Sequence, residues 1–305
     1  MAEYASLFRP TRYALIGRVS LPLYPSYALS LLGALDGLDG IMPGKPPKQS
    51  RKQAAAALDR AQELIYGAWE AGTAKRRLAL AKKALEISPH CADAYVLLAE
   101  HARRGSDAEL ELWRQGVAAG EAALGKAGFE ELVGQFWGFL ETRPYMRARL
   151  GLAMALWRRG AREDAVDHLR AMLRLNPGDN QGVRYILAAF LAELGRDAEL
   201  AALLEQYADD GAAAWAYTAA LLAFRREQDT AASRKLLTEA IESNEFVPGY
   251  LLGERKMPAR LPDYMGAGDA AEAVHFMNDF GAGWKGTPGA LDWLRRNVSG
   301  TKGGG

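Results

Sequence analysis

Side chains that carry enzyme chemistry are sparse in this sequence: four histidines, His90, His101, His168 and His275, and one cysteine, Cys91, in 305 residues. A zinc-binding helix of the HExxH kind sets two histidines on one face, and no histidine pair here has that spacing. Each histidine therefore reads as a surface or partly buried structural residue. Cys91 follows His90 in the turn after Pro89, but a thiol nucleophile also needs a base and an oxyanion site. A lone cysteine makes no intrachain disulfide and no multi-cysteine metal site, which fits a reducing compartment, and the cytoplasm is the expectation.

Phosphate chemistry fares no better. No GxxxxGK[ST] loop occurs, and the glycine-rich stretch GAGWKGTPG from residue 281 has neither a strand before it nor a suitable lysine or hydroxyl opening a helix after it. The stretch NPGDNQG, residues 176–182, combines a carboxylate with amides, which is the composition of helix capping in a turn. No metal, no cofactor and no catalytic activity are expected. The alternative is an enzyme or small-molecule regulator with a site between the repeats and the C-terminal region, using Asp263, Tyr264, Asp269 or His275.

Binding chemistry is better represented. Arginines are doubled at Arg103-Arg104, Arg158-Arg159 and Arg225-Arg226. Each pair falls near the end of a helical pattern, where the macrodipole favours positive charge, so the ordinary reading is helix stabilisation. The functional reading is that stacking sets these ends in a row. Basic residues number 38 and acidic residues 37, so no global field draws the chain to nucleic acid, and no nucleic-acid partner is expected.

These residues must be held by helices. From about residue 51 to 245 alanine and leucine dominate, β-branched runs are absent, and apolar residues recur at helical spacing. Before this, MPGKPPKQS (residues 42–50) has three prolines and reads as a linker, making residues 1–50 an N-terminal segment. After it, Pro248, Pro258 and Pro262 mark a change of texture. Residues 246–296 are assigned to a C-terminal cap and residues 297–305 to a flexible tail.

A repeating order emerges inside the helical region: Leu152, Ala153, Leu156, Gly160, Ala165, Leu169, Met172 and Pro177. Small residues let two helices cross closely, glycine permits the turn between them, and proline ends the second. This is the tetratricopeptide order. Weaker copies begin at Leu58, Ala92, Gln181 and Ala214, with Arg77 awkward at a small position. The expected fold is therefore all-α: a right-handed helical-repeat solenoid of tetratricopeptide-like hairpins with an irregular C-terminal cap.

The residues 125–145 form an insertion whose Phe129, Phe136, Trp137 and Phe139 are expected to pack. In such a solenoid, positions 2, 5, 9 and 12 of each first helix line a concave groove. They include Tyr66, Trp69, Val96, Arg103, Arg147, Met154, Trp157, Tyr185, Trp215, Leu222 and Arg225. Aromatics with arginine are the types that dominate binding hot spots, so a protein or peptide partner is expected. The competing reading is that such aromatics are core, most of all Trp215.

The segments KRRLALAKKALEISPHCADAYVLLAE, ETRPYMRARLGLAMALWRRG and FVPGYLLG, followed by DAAEAVHFMNDFGAGW and TPGALDWL, resemble in that order the suppression-of-tumorigenicity family of helical-repeat proteins, numbered seven in its series, and its bacterial relatives. The likeness runs from about Gln53 to Leu294. It implies no catalytic motif. Animal members of the family look like membrane-associated proteins, whereas here the N-terminal apolar run is cut by Asp36 and Asp39, and its upstream extension by Arg18, Pro22 and Pro25. Membrane association is therefore not expected. The alanine- and arginine-rich composition points to a bacterial relative. LSLLGALDGLDGIM is a candidate amphipathic helix for docking in the chain's own groove, and Val274, Phe276 and Phe280 are candidates to cover the last repeat.

Overall fold

A computed structural model describes residues 50–301, so the N-terminal segment, including the proposed docking helix, and the final glycines lie outside the described residues. The described chain is all-α and built from consecutive helices, a helical-repeat architecture. It divides into two compact units at Val183/Arg184.

The first unit holds three helical hairpins: α1 (Arg51–Glu70) with α2 (Ala74–Ile87), α3 (Ala92–His101) with α4 (Asp107–Leu132), and α5 (Arg143–Arg158) with α6 (Arg162–Leu175). Helix α3 packs on α2 and α5, and α4 packs on α5, so each hairpin covers its neighbour's apolar face. Starts are capped in the usual way. Ser50 and Gln53 form a capping box on α1, and Thr73 and Ser106 accept the N3 amides of α2 and α4. Gly160, between α5 and α6, has φ of 81°, a turn conformation that a residue with a Cβ adopts only under strain.

Small residues set the helix spacing. Ala153 and Ala165 are fully buried where α5 meets α6. A Cβ at Gly120 of α4 would lie 2.8 Å from the Tyr145 Cβ, and one at Gly151 of α5 would lie 2.1 Å from the Trp113 ring. Arg77, the awkward guest, is accommodated because its Nε donates to the Ala71 carbonyl at 2.9 Å, closing the end of α1.

The insertion is ordered. Gly125 kinks α4, with φ of 59° and ψ of 176°, and two short 3-10 turns, Phe136–Gly138 and Leu140–Thr142, lead into α5. Phe136 is fully buried and joins Phe129 and Tyr145 in an aromatic cluster, with ring centroids 5.1–6.1 Å apart. Gly134 and Trp137 donate their amides to the Leu175 carbonyl and Asn176 at the end of α6. Phe139 departs from expectation: it is 36% exposed, because the second 3-10 turn carries it with Leu140 to the surface.

The second unit contains α7 (Val183–Leu194), α8 (Asp197–Gln206), α9 (Ala213–Glu227), α10 (Ala231–Ser243), α11 (Val247–Leu251), α12 (Ala270–Lys285) and α13 (Ala290–Thr301). Helix α7 turns into α8 through Gly195, φ 68°, and α9 packs on α10 as a hairpin. Helix α12 lies on α9, α11 and α13. It buries Val274, Phe276, Phe280 and Trp284, with Phe276 5.2 Å from the Tyr217 ring and Trp293 of α13 stacked 4.6 Å from Phe224. Each such side chain contributes roughly 2–3 kcal/mol by leaving water.

Candidate functional site

Sequence reasoning proposed one row of groove residues; the structure sorts them into three kinds. Tyr66, Trp69 and Arg147 come together. Tyr66 and Trp69 lie one turn apart on α1 with ring centroids 5.8 Å apart, and Tyr66 is 41% exposed. The Arg147 guanidinium, from α5, stands over the Trp69 ring at 5.2 Å. Asp93 of α3 fixes it, accepting from Arg147 Nε at 2.7 Å and Nη2 at 2.5 Å, while Gln62 of α1 donates to the same carboxylate at 2.9 Å. Asp93 is fully buried. Three helices thus hold one arginine in one orientation over one indole.

Electrostatics follow from this arrangement. Burial works against the Arg147 charge, but Asp93 outweighs it and the guanidinium pKa is raised. Burial and then Asp93 push the Tyr66 phenol up, so its hydroxyl stays protonated. The same two causes push the Cys91 thiol up to about 12. Cys91 is fully buried, and a thiol held protonated in that way is no nucleophile. Arg143, one turn before Arg147, stacks over Trp137 at 5.3 Å and donates to the Trp137 carbonyl at 3.1 Å. Its pKa is lowered by burial and by Arg147. The surface therefore runs from Tyr66 and Trp69 through Arg147 and Arg143 to Trp137. The segment beside Trp137 leaves Val133 at 48% and Leu140 at 65% exposure.

Other proposed groove residues are engaged internally. Leu222 is 5% exposed and cannot line an open surface: α9 has α8, α10 and α12 as neighbours. Val96 and Trp215 are buried as well, so Trp215 is a core aromatic. Arg225 is 12% exposed at its side chain and donates to Asp197, Thr287 and the carbonyls of Ala192 and Gly283. Tyr185 belongs to a cage that is already filled. Arg184 sits 4.5 Å from the Tyr185 ring, 5.3 Å from Tyr207 and 5.9 Å from Trp215, and both Arg184 and the Tyr185 hydroxyl donate to Asp210. Met154 and Trp157 are half-buried, and Arg162 stands 4.7 Å over the Trp157 ring. Arg103 is exposed.

The doubled arginines acquire a definite task. At the end of α5, Arg158 donates to Glu109, and Arg159 donates to Asp107 at 2.5 Å and to the Gly105 carbonyl at 2.8 Å. At the end of α9, Arg225 and Arg226 reach Asp197 in the same way. The acceptors share a tetrad, Asp-Ala-Glu-Leu at 107–110 and at 197–200, which opens the second helix of the preceding hairpin in each unit. Sequence reasoning missed Asp93, Arg143 and this tetrad. The repeat of the tetrad was the available signal for the last.

Residues of the alternative site do not converge. Asp263 pairs with Arg260 on the surface, Tyr264 is 88% exposed, Asp269 caps α12, and His275 Nε2 pairs with the Pro262 carbonyl at 3.0 Å. Among the described residues no cluster of three metal-ligating side chains occurs, and no helix is long and apolar enough to cross a membrane.

Against known proteins, residues 53–301 match the family described as ST7 protein. The chain belongs to the ST7 protein family. A cow protein named suppressor of tumorigenicity 7 protein-like is 31% identical over 263 residues, covering 78% of this chain and 47% of the cow protein. The suppressor of tumorigenicity 7 protein of the macaque Macaca fascicularis is 29% identical over 288 residues, covering 79% of this chain and 53% of its own. This ST7-family chain thus spans about half the length of the curated relatives it matches. No solved structure matches it.

Proposed function

We propose that this ST7-family chain is a non-catalytic adaptor that binds a protein or peptide segment on the surface formed by Tyr66, Trp69, Trp137, Arg143 and Arg147. The observation that carries this reading is the exposed Tyr66 ring beside an indole and a guanidinium already immobilised by buried Asp93. Exposed aromatic and arginine groups of this kind supply most of the energy at interfaces, and immobilising them before binding removes an entropic cost. The adjoining Val133, Phe139 and Leu140 extend the apolar surface. A tetratricopeptide-type groove, with the partner laid across the first helices of the hairpins, is the form this reading takes, and the cytoplasm is the compartment we assign.

The test is affinity capture from a bacterial lysate by the full chain and by Tyr66→Ala/Leu140→Ser, read by mass spectrometry. A protein enriched by wild type and lost from the variant, with the two melting alike by circular dichroism, is the expected result. Identical capture by both proteins would refute the assignment.

A further inference from the structure

Helix α2 carries its charge at the wrong end. Its sequence, AKRRLALAKKALEI, holds five basic residues and one acidic residue, and its first turn contains Lys75, Arg76 and Arg77 with no carboxylate. The partial positive charge of a helix N-terminus disfavours cations there, by about 0.3–1 kcal/mol each. Helices α4, α6 and α8 follow the rule, opening with Asp107 and Glu109, Glu163 and Asp164, and Asp197 and Glu199, whereas α1 and α10, like α2, open without a carboxylate. Arg77 closes the end of α1, which accounts for its place. Nothing in the fold accounts for Lys75 and Arg76.

The same face continues along the helix. Lys75, Arg76, Ala79, Lys82 and Lys83 are exposed, while Ala81, Ala84 and Leu85 are buried. Among the described residues no carboxylate pairs with Lys75, Arg76, Lys82 or Lys83. Lys75 and Lys82 are seven residues apart, about 10 Å along the axis. Arg103 and Arg104 add to the patch. They follow α3, which packs on α2, and Arg77 acts electrostatically on Glu100 there. Their counterparts at the ends of α5 and α9 find the Asp-Ala-Glu-Leu tetrad, but α2 opens with Ala-Lys-Arg-Arg, and Arg103 and Arg104 remain exposed. From residue 74 to 104 there are seven basic residues against three acidic, in a chain whose net charge is +1.

We propose that this face of α2 binds an acidic protein segment, one presenting carboxylates about 10 Å apart on one side, as every third residue of a polyproline II chain or every seventh of a helix does. The residues differ from those of the adaptor surface, so this site goes beyond that reading. A lipid surface is the poorer fit because the apolar face of α2 is buried in the fold and has nothing to insert. Nucleic acid is the poorer fit because α2 has no aromatic residue to stack on a base.

The experiment measures binding of a fluorescein-labelled poly-glutamate peptide to the full chain by anisotropy at low and physiological salt. Wild type is expected to bind, with affinity falling as salt rises. Lys75→Glu/Arg76→Glu should weaken binding roughly tenfold while raising Tm by about 2–4 °C, because it corrects the helix dipole. Lys126→Glu/Lys235→Glu changes net charge equally on other helices and should bind as wild type does. Equal loss in both variants, no binding by wild type, or co-sedimentation with phosphatidylserine vesicles in place of peptide binding would each overturn the proposal.

Discussion

The ion pair beside Tyr66 and Trp69 is open to a quantitative test. Asp93 is fully buried and accepts three hydrogen bonds, two from Arg147 and one from Gln62. Asp93→Ala leaves the Arg147 guanidinium without its counter-charge. Breaking a buried pair in this way costs about 3–5 kcal/mol, and the lower end applies because the Arg147 side chain is 20% exposed and can rehydrate in part. Arg147→Met keeps the aliphatic stem over Trp69 but strands a buried carboxylate with only Gln62 beside it, so its cost should reach about 4 kcal/mol. The double variant has no stranded charge. Its cost should be roughly 3 kcal/mol in place of the sum of the two, a coupling of several kcal/mol. Urea unfolding of the four proteins, followed by far-ultraviolet circular dichroism, measures the cycle. Single costs that add to within about 0.5 kcal/mol would show that the two groups act independently and would refute the claim that Asp93 is what holds Arg147 over Trp69.

Two further predictions address the packing around α4 and α5. Gly151→Ala would set a Cβ 2.1 Å from the buried Trp113 ring and should destabilise the fold by about 1–3 kcal/mol or more, with Trp113→Leu in the same chain restoring part of the loss in Tm. Burial, then Arg149 and Arg114, depress the His168 pKa to about 3. The unfolded chain, near 6.5, therefore takes up the proton first as pH falls, so the stabilisation is present above pH 6.5 and is lost on descent towards pH 3. Between pH 7.5 and pH 5 wild type should lose about 2 kcal/mol more than His168→Gln, as read by urea midpoints.

Local order made the helices legible. Alanine and leucine at helical spacing, with Gly160 and Gly195 at positive φ, are properties of neighbouring residues, and they mark α5 through α8 in the sequence. Phe136 was legible for the same reason, as one apolar residue among several in a short insertion. The pairing of Asp93 with Arg147 spans 54 positions, and nothing near either residue announces the other. It depends on α3 lying against α5, which is a fact of stacking. Leu222 shows the converse limit. Its position in the repeat points to an open face only if α9 has one, and α12, supplied by the irregular C-terminal region, packs on α9 in the second unit.

Arginine pairs at the ends of first helices had one ordinary explanation in sequence, the helix dipole, and the structure shows why that is insufficient. A dipole interaction is satisfied by any cation within the last turn. Arg159 and Arg225 instead reach specific oxygens on the preceding hairpin, Asp107 and Gly105 in one unit and Asp197 and Ala192 in the other, so each pair ties one repeat to the next. Planar guanidinium groups suit this task because they offer several fixed donors at once. The pair at Arg103 and Arg104 has a similar position without the same acceptors, since Lys75 and Arg76 occupy the start of α2 where α4 and α8 carry Asp107 and Asp197. Two junctions therefore share a staple, Arg159 on Asp107 and Arg225 on Asp197, that the junction of α2 and α3 lacks, and there the side chains of Lys75, Arg76, Arg103 and Arg104 stay exposed.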